Sequence, residues 1–159
     1  MNRRESVTPE RGVTMVDVSA KPITQRSAKA EAVVRLNAQA RDALRNARLG
    51  KGDAFVAAQI AGIAAAKRTA TLIPLAHALA LSSVNVRFDW LDDTLRIEAE
   101  AKTSAQTGVE MEALVAVAIA ALTIYDMTKA LDRAIAIERI ALLEKRGGKS
   151  GEWMREPNA

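Results

Sequence analysis

The stretch from Thr107 to Ala130, TGVEMEALVAVAIAALTIYDMTKA, constrains this fold more than any other part of the chain. It opens on Gly108 and two carboxylates, Glu110 and Glu112. An apolar run follows from Ala113 to Tyr125, broken only by Thr123, and closes on Asp126 and Lys129. A buried helix and a buried strand both fit the apolar part. The length favours the helix, because strands rarely exceed ten residues and Ala, Leu and Met are good helix formers. A helix apolar on nearly every side has to be covered on every side. One small domain hardly suffices, so the pattern predicts packing on a sheet together with a subunit contact.

The charges on this helix carry information too. Asp126 and Lys129 are three positions apart and share a face. Glu112 and Asp126 lie near one stripe but about 21 Å apart along the axis. One compact site in one copy could not use both, so either the ligand is long or two copies each supply one end. The plainer alternative is a glutamate favoured by the helix dipole and an Asp–Lys surface pair.

With 159 residues, 49% of them hydrophobic, the chain reads as one soluble globular domain, here 15–151 between a disordered arm at 1–14 and a flexible tail at 152–159. Aromatics are only 3%, so Ala, Val, Ile and Leu fill the core. A net charge of +4 suits an anionic partner. There are no cysteines, which excludes disulfides and thiolate metal sites and fits a cytoplasmic location. The start, MNRRESVTPERG, does not read as a secretory signal. The longest apolar run is shorter than the ~20 residues a membrane span needs.

In chain order, MVDVSA (15–20) alternates as a short strand. Residues 28–36 repeat with period two, Ala28, Ala30, Ala32, Val34 and Leu36 against Lys29, Glu31 and Arg35, which predicts a strand with one wet face. Asn37 caps a helix running to about Ala47. Asp53 caps a second, expected to continue to Ile73, just before Pro74. Its Gly62 marks a close helix contact. Two alternating segments flank Leu91-Asp92-Asp93 as a hairpin, and 135–143 reads as the last strand, followed by a mobile GGKSG segment. Strands, helices, hairpin, helix and strand in that order give an α+β fold, a sheet with helices on one face.

Few residues invite chemistry. Lys51-Gly52-Asp53 precedes the second helix, where free N–H groups and a loop lysine can hold phosphate. Lys67-Arg68 closes that helix, and cations there commonly complement the dipole. His77 is the only histidine. In apolar surroundings a lone histidine is more often a hydrogen-bonded core residue than a catalyst. Nothing has the spacing of a metal site, a P-loop, a dinucleotide fold or a nucleophile elbow. Lys145, Arg146 and Lys149 make a basic, glycine-containing tail suited to wrapping a phosphate or contacting nucleic acid, and without aromatic platforms the nucleic-acid reading is poor.

Taken in order, MVDVSAK (15–21), KGD (51–53), IAGI and AAKRT (60–69), LIPL, His77 and Leu79 (72–79), TGVEMEAL (107–114), AALTIYDM with KA (120–130), and LLEK with GGKSG (142–151) resemble the cyclic pyranopterin monophosphate synthase family, molybdenum cofactor biosynthesis protein C. The resemblance spans Met15 to Gly151. It implies a ferredoxin-like antiparallel sheet and a homo-oligomer, a hexamer built as a trimer of dimers with sites between subunits. It implies a lyase that converts 3′,8-cyclo-7,8-dihydroguanosine 5′-triphosphate into cyclic pyranopterin monophosphate and diphosphate. No redox cofactor is implied, although Mg²⁺ could arrive with the triphosphate. Residue by residue, the catalytic positions match Lys51, Asp126 and Lys129. The substrate-contacting stretches match Leu75, Ala76 and His77, and Met111 with Glu112. Lys21, Arg26, Lys67, Arg68 and Lys145 then become candidates for holding phosphates. Three positions depart from the family's usual pattern: Ala76 replaces Cys, Ala78 replaces Pro, and Gln106 replaces Lys. They motivate an alternative, a catalytically weakened paralogue that binds a nucleotide or pterin. A third reading is a basic oligomeric scaffold.

Overall fold

The computed structural model describes residues 12–156. The arm expected at 1–14 therefore lies outside the described residues as far as position 11. The first strand, β1 (Thr24–Arg35), leads into α1 (Ala38–Arg45), α2 (Ala54–Ala66) and the single turn α3 (Thr69–Leu72). The hairpin β2 (Leu81–Leu91) and β3 (Thr94–Ala105) follows, then α4 (Glu110–Thr128), β4 (Ala136–Arg146) and β5 (Trp153–Met154). The strands form one antiparallel sheet in the order β2-β3-β1-β4-β5.

The period-two pattern of β1 does what it predicts. Ala28, Ala30, Ala32 and Val34 pair with Ala101, Ala99, Ile97 and Leu95 of β3, and all eight are buried in the core. Small side chains in the middle of that surface let α4 settle close to β1 and β3, with α2 lying on α4 and β2. At Gly62 the two helices meet with no room to spare. A Cβ there would stand 2.9 Å from the Ala116 carbonyl oxygen. On the opposite face of β1, Glu31 pairs with Arg96 and Arg139, and Lys29 with Glu144.

Both predicted caps form. The Asn37 side chain accepts from Ala40 N at 2.8 Å, and Asp53 accepts from Phe55 N at 2.9 Å and Val56 N at 3.2 Å. The hairpin turns at Asp92, whose φ is 51°, in the left-handed region that Asp tolerates better than most residues.

Two expectations fail. MVDVSA is not a strand: residues 13–18 have no regular structure and no ladder partner, and side chains from elsewhere hold the segment instead. The second helix does not run to Ile73. It ends at Ala66, where Arg68 N closes a tight bond to Ala65 O and the Thr69 hydroxyl donates to Ala66 O at 2.9 Å, and α3 starts afresh. Beyond Gly147 and Gly148, the segment expected as a tail carries β5, which pairs Trp153 with Lys145 and Met154 with Glu144.

By length and composition α4 could cross a bilayer. Its inner stripe of Ala113, Ala116, Val117, Ala120, Ala121 and Ile124 is instead buried in the core. The outer stripe is not covered: Met111 and Leu122 on α4, with Val56 and Ile60 on α2, are exposed.

Candidate active site

The candidate functional side chains gather at the two ends of α4. At its C-terminal end, Lys51 donates to the Asp126 carboxylate (Oδ2) at 2.9 Å and to the Asp126 carbonyl at 3.0 Å, while Lys129 donates to the other carboxylate oxygen at 2.6 Å. The loop that delivers Lys51 turns at Gly52, whose φ of +102° favours glycine. The two lysines, Lys129 first, hold the Asp126 carboxyl down to about 2 from an ordinary 3.8, and Asp126 in turn raises Lys129. Asp126 and Lys129 are therefore both charged at neutral pH. They border a cavity of about 270 Å³ that also includes Leu49, Met127 and Leu131.

At the N-terminal end, Leu75, Ala76, His77, Met111, Glu112 and Lys21 line a cavity of about 420 Å³. Glu112 is only 3% exposed, and burial pushes its carboxyl up, with Glu110 adding to the effect. A group so placed holds a proton more readily than a surface carboxyl. The His77 Nε2 lies 2.8 Å from the Val16 carbonyl. A carbonyl only accepts, so Nε2 carries the hydrogen and Nδ1 is left for a ligand.

A wider cavity of about 920 Å³ adjoins this one, sharing Lys21, Thr107, Gly108 and Glu110. It adds Arg26, Lys145, Lys149 and Ser150. The Arg26 guanidinium is fixed from behind, donating to Ala105 O at 3.1 Å and Gln106 O at 3.2 Å. Gly148, with φ +75°, packs directly against it, and a Cβ there would fall 2.1 Å from Arg26 Nη1. Lys145 pairs with Glu110 at 3.3 Å. Four cations face one carboxylate here, a charge balance that suits a polyanion.

The structure thus brings Lys51, Asp126 and Lys129 together, and separately brings Leu75, Ala76, His77, Met111, Glu112, Lys21, Arg26 and Lys145 together. It does not bring Lys67 and Arg68 to either group; they are exposed where α2 ends. Sequence reasoning missed two residues as site components. Glu110 was legible in TGVEMEAL, but its position at a helix start explained it equally well. Gln106 carried no signal beyond its departure from a family pattern.

A model of the MoaC family matches residues 15–148. The chain belongs to the MoaC family. It is 54% identical over 150 residues to the cyclic pyranopterin monophosphate synthase of Thermomicrobium roseum, covering 92% of this chain and 90% of that protein. The protein of the same name from Novosphingobium aromaticivorans is 54% identical over 139 residues, 87% of this chain and 88% of the relative. That from Corynebacterium efficiens is 50% identical over 153 residues, 96% and 99% of the two chains. The MoaC match contains both ends of α4 and the lining of both cavities at its N-terminal end except Thr14, just before it, and Lys149 and Ser150, just past it.

Proposed function

We propose that this chain is a cyclic pyranopterin monophosphate synthase, a lyase acting in molybdenum cofactor biosynthesis. It takes 3′,8-cyclo-7,8-dihydroguanosine 5′-triphosphate to cyclic pyranopterin monophosphate with release of diphosphate. The observation that carries the reading is membership of the MoaC family, with near full-length relatives of that name at about half identity. The site's chemistry suits it. A triphosphate matches the Lys21, Arg26, Lys145 and Lys149 cavity, and the guanine-derived ring then falls toward His77, Met111 and Glu112.

Proton transfer during ring opening and closure is assigned to Lys51, Asp126 and Lys129. Asp126 ionises too readily to be a strong base while both lysines hold it. An arriving phosphate competes for those ammonium groups, which releases the carboxylate at the moment it is needed. Glu112, with its raised pKa, is the second carboxyl able to exchange a proton.

The two ends of α4 are too far apart to serve one substrate in one copy. A homo-oligomer, a hexamer as a trimer of dimers with sites between subunits, resolves this. The uncovered apolar stripe of Met111, Leu122, Val56 and Ile60 supports it. The β-α-β-β-α-β succession and the 2-3-1-4 order of the first four strands support a ferredoxin-like description of the sheet. Mg²⁺ would arrive on the triphosphate, since among the described residues no three His, Asp or Glu gather to hold a metal. The reading places the enzyme in the cytoplasm, without nucleic-acid or membrane partners. Nothing observed favours the weakened paralogue.

The test incubates purified protein with the cyclised guanosine triphosphate and measures pterin and diphosphate together. Both products should form, and both should vanish in Lys51→Ala. Tight substrate binding without either product would overturn the lyase in favour of a binding protein.

A further inference from the structure

The segment Thr14–Lys21 crosses the mouth of the site with little to keep it there. It has no helix or strand, and Met15 and Val16 are 51% and 65% exposed with only Val18 half-buried, so burial anchors it weakly. Its own local bonds are two, Ser19 N to the Asp17 carboxylate and Lys21 N to Val18 O, each 2.9 Å. What ties it to the rest of the chain is two side chains. His77 bonds the Val16 carbonyl, and the Gln106 amide nitrogen donates to both Ser19 O and Lys21 O, each at 3.0 Å. Only the nitrogen of a glutamine amide can face two carbonyl oxygens, so the orientation of this group is settled by its partners.

Gln106 is itself well placed to act as an anchor. It follows the last residue of β3, where Ala105 pairs with Thr24 of β1, and its own carbonyl accepts from Arg26 at 3.2 Å. The backbone it grips belongs to Ser19 and Lys21, and Lys21 borders both N-terminal cavities with no ion-pair partner among the described residues. Each other cation gripping the wide cavity from the sheet is held already, Arg26 by two carbonyls and Lys145 by Glu110. Lys21 can be aimed only by fixing its backbone.

We propose that Gln106 is a positioning residue that clasps the Thr14–Lys21 strap across the site and thereby aims the Lys21 ammonium into the junction of the two cavities, where it meets substrate phosphate. The claim rests on the cavity being the triphosphate site. The chemistry required of position 106 is donation to two carbonyls. Glutamine supplies it with one amide, and a lysine ammonium, with three hydrogens and no acceptor, supplies it equally. Methionine has a similar length and cannot donate.

The test compares wild type with Gln106→Met, Gln106→Lys, Lys21→Ala and the Gln106→Met/Lys21→Ala double variant. Hydrogen exchange is followed on peptides covering 14–21 and α4, binding of inorganic tripolyphosphate by calorimetry, and turnover of the cyclised triphosphate. In Gln106→Met the 14–21 peptide should exchange about tenfold faster while α4 peptides do not change, since two hydrogen bonds are lost without touching the core. Tripolyphosphate binding should weaken as much as in Lys21→Ala, and the double variant should be no weaker than either single one. KM should rise with kcat nearly constant, and Gln106→Lys should restore every readout. Should Gln106→Met not fold, Gln106→Asn, too short to reach both carbonyls, takes its place.

Unchanged exchange over 14–21 overturns the clasp. Faster exchange with unchanged binding, or losses that multiply in the double variant, overturns the link to Lys21. Wild type that fails to bind tripolyphosphate overturns the aim at phosphate. Wild type that binds it but forms no pterin removes the assigned reaction and leaves the clasp standing.

Discussion

Lys51 donates to Asp126 twice, to a carboxylate oxygen at 2.9 Å and to the main-chain oxygen at 3.0 Å, and so ties the loop before α2 to the last turn of α4. Lys129 completes the cluster from the next turn. All three side chains are exposed, so the cluster contributes little to stability and is free to serve a ligand. Lys51→Ala and Lys129→Ala should each lower kcat by a hundredfold or more, on the order of a general acid–base contribution. Thermal midpoints should barely move. A kcat near wild type in either variant would remove that lysine from the chemistry.

The same cluster fixes a pH signature. Asp126 ionises at about 2 in the folded chain against an ordinary 3.8. Its folded value is depressed, so its stabilising effect is complete above 3.8 and disappears as pH falls through about 2. Because the cluster is exposed and screened, denaturant midpoints of wild type and Asp126→Asn should differ only slightly above that window and converge within it. Lys129 behaves in mirror image: it is raised above 10.5, and its effect is present below 10.5 and lost as pH climbs past the folded value. Neither group titrates near neutrality in the free protein. A pH limb of kcat/KM between about pH 5 and about pH 9 that disappears in Asp126→Asn would contradict this.

Glu112 runs the other way. Burial raises its carboxyl above the ordinary 4.5, with Glu110 contributing. The folded state prefers the neutral form, so the wild type should match Glu112→Gln below 4.5 and lose stability relative to it as pH rises through the folded value. Urea midpoints in acid and at mildly alkaline pH check the sign. A Gln variant less stable at every pH would mean that the carboxylate makes a stabilising contact.

Gly62 should govern stability rather than activity. An alanine there would place its Cβ 2.9 Å from the Ala116 carbonyl, with Val86 at 3.3 Å, so α2 and α4 have to separate. Gly62→Ala should cost about 1–3 kcal/mol, as overpacked cores generally do, with turnover retained at low temperature. An unchanged melting temperature would show that the helices part without strain.

If each site draws one end of α4 from each of two copies, two dead variants should repair one another. Lys129→Ala and His77→Ala, unfolded together and reassembled, should recover about a quarter of wild-type turnover, because half of randomly formed dimers are mixed and each mixed dimer regains one intact site. No recovery, with mixed oligomers demonstrated by mass, would return the whole site to one copy.

The sequence by itself determined the elements whose signal is local. The two-residue repeat of Ala28, Ala30, Ala32 and Val34 is a strand because alternate side chains face opposite sides of a sheet, and Asn37 and Asp53 cap helices because their oxygens reach the next turn. Gly62 was legible as a helix contact for the same reason, since only the smallest residue among small ones lets backbones meet. The motif-bearing residues Lys51, Asp126 and Lys129 were legible as well, though Asp126 and Lys129 alone looked like an ordinary i, i+3 pair. What only the tertiary structure decided depends on groups distant in the chain. Lys51 reaches Asp126 because the loop before α2 passes the end of α4, 75 positions away. MVDVSA alternates like a strand yet makes none; Gln106 and His77, 61 to 87 positions distant, take its carbonyls instead. Glu112 reads as a dipole-favoured glutamate until the fold buries it, and the α4 pattern, apolar on all sides, gave no hint of which stripe the sheet would take. Periodicity reports the geometry of one element, whereas burial and long-range hydrogen bonds depend on which elements meet.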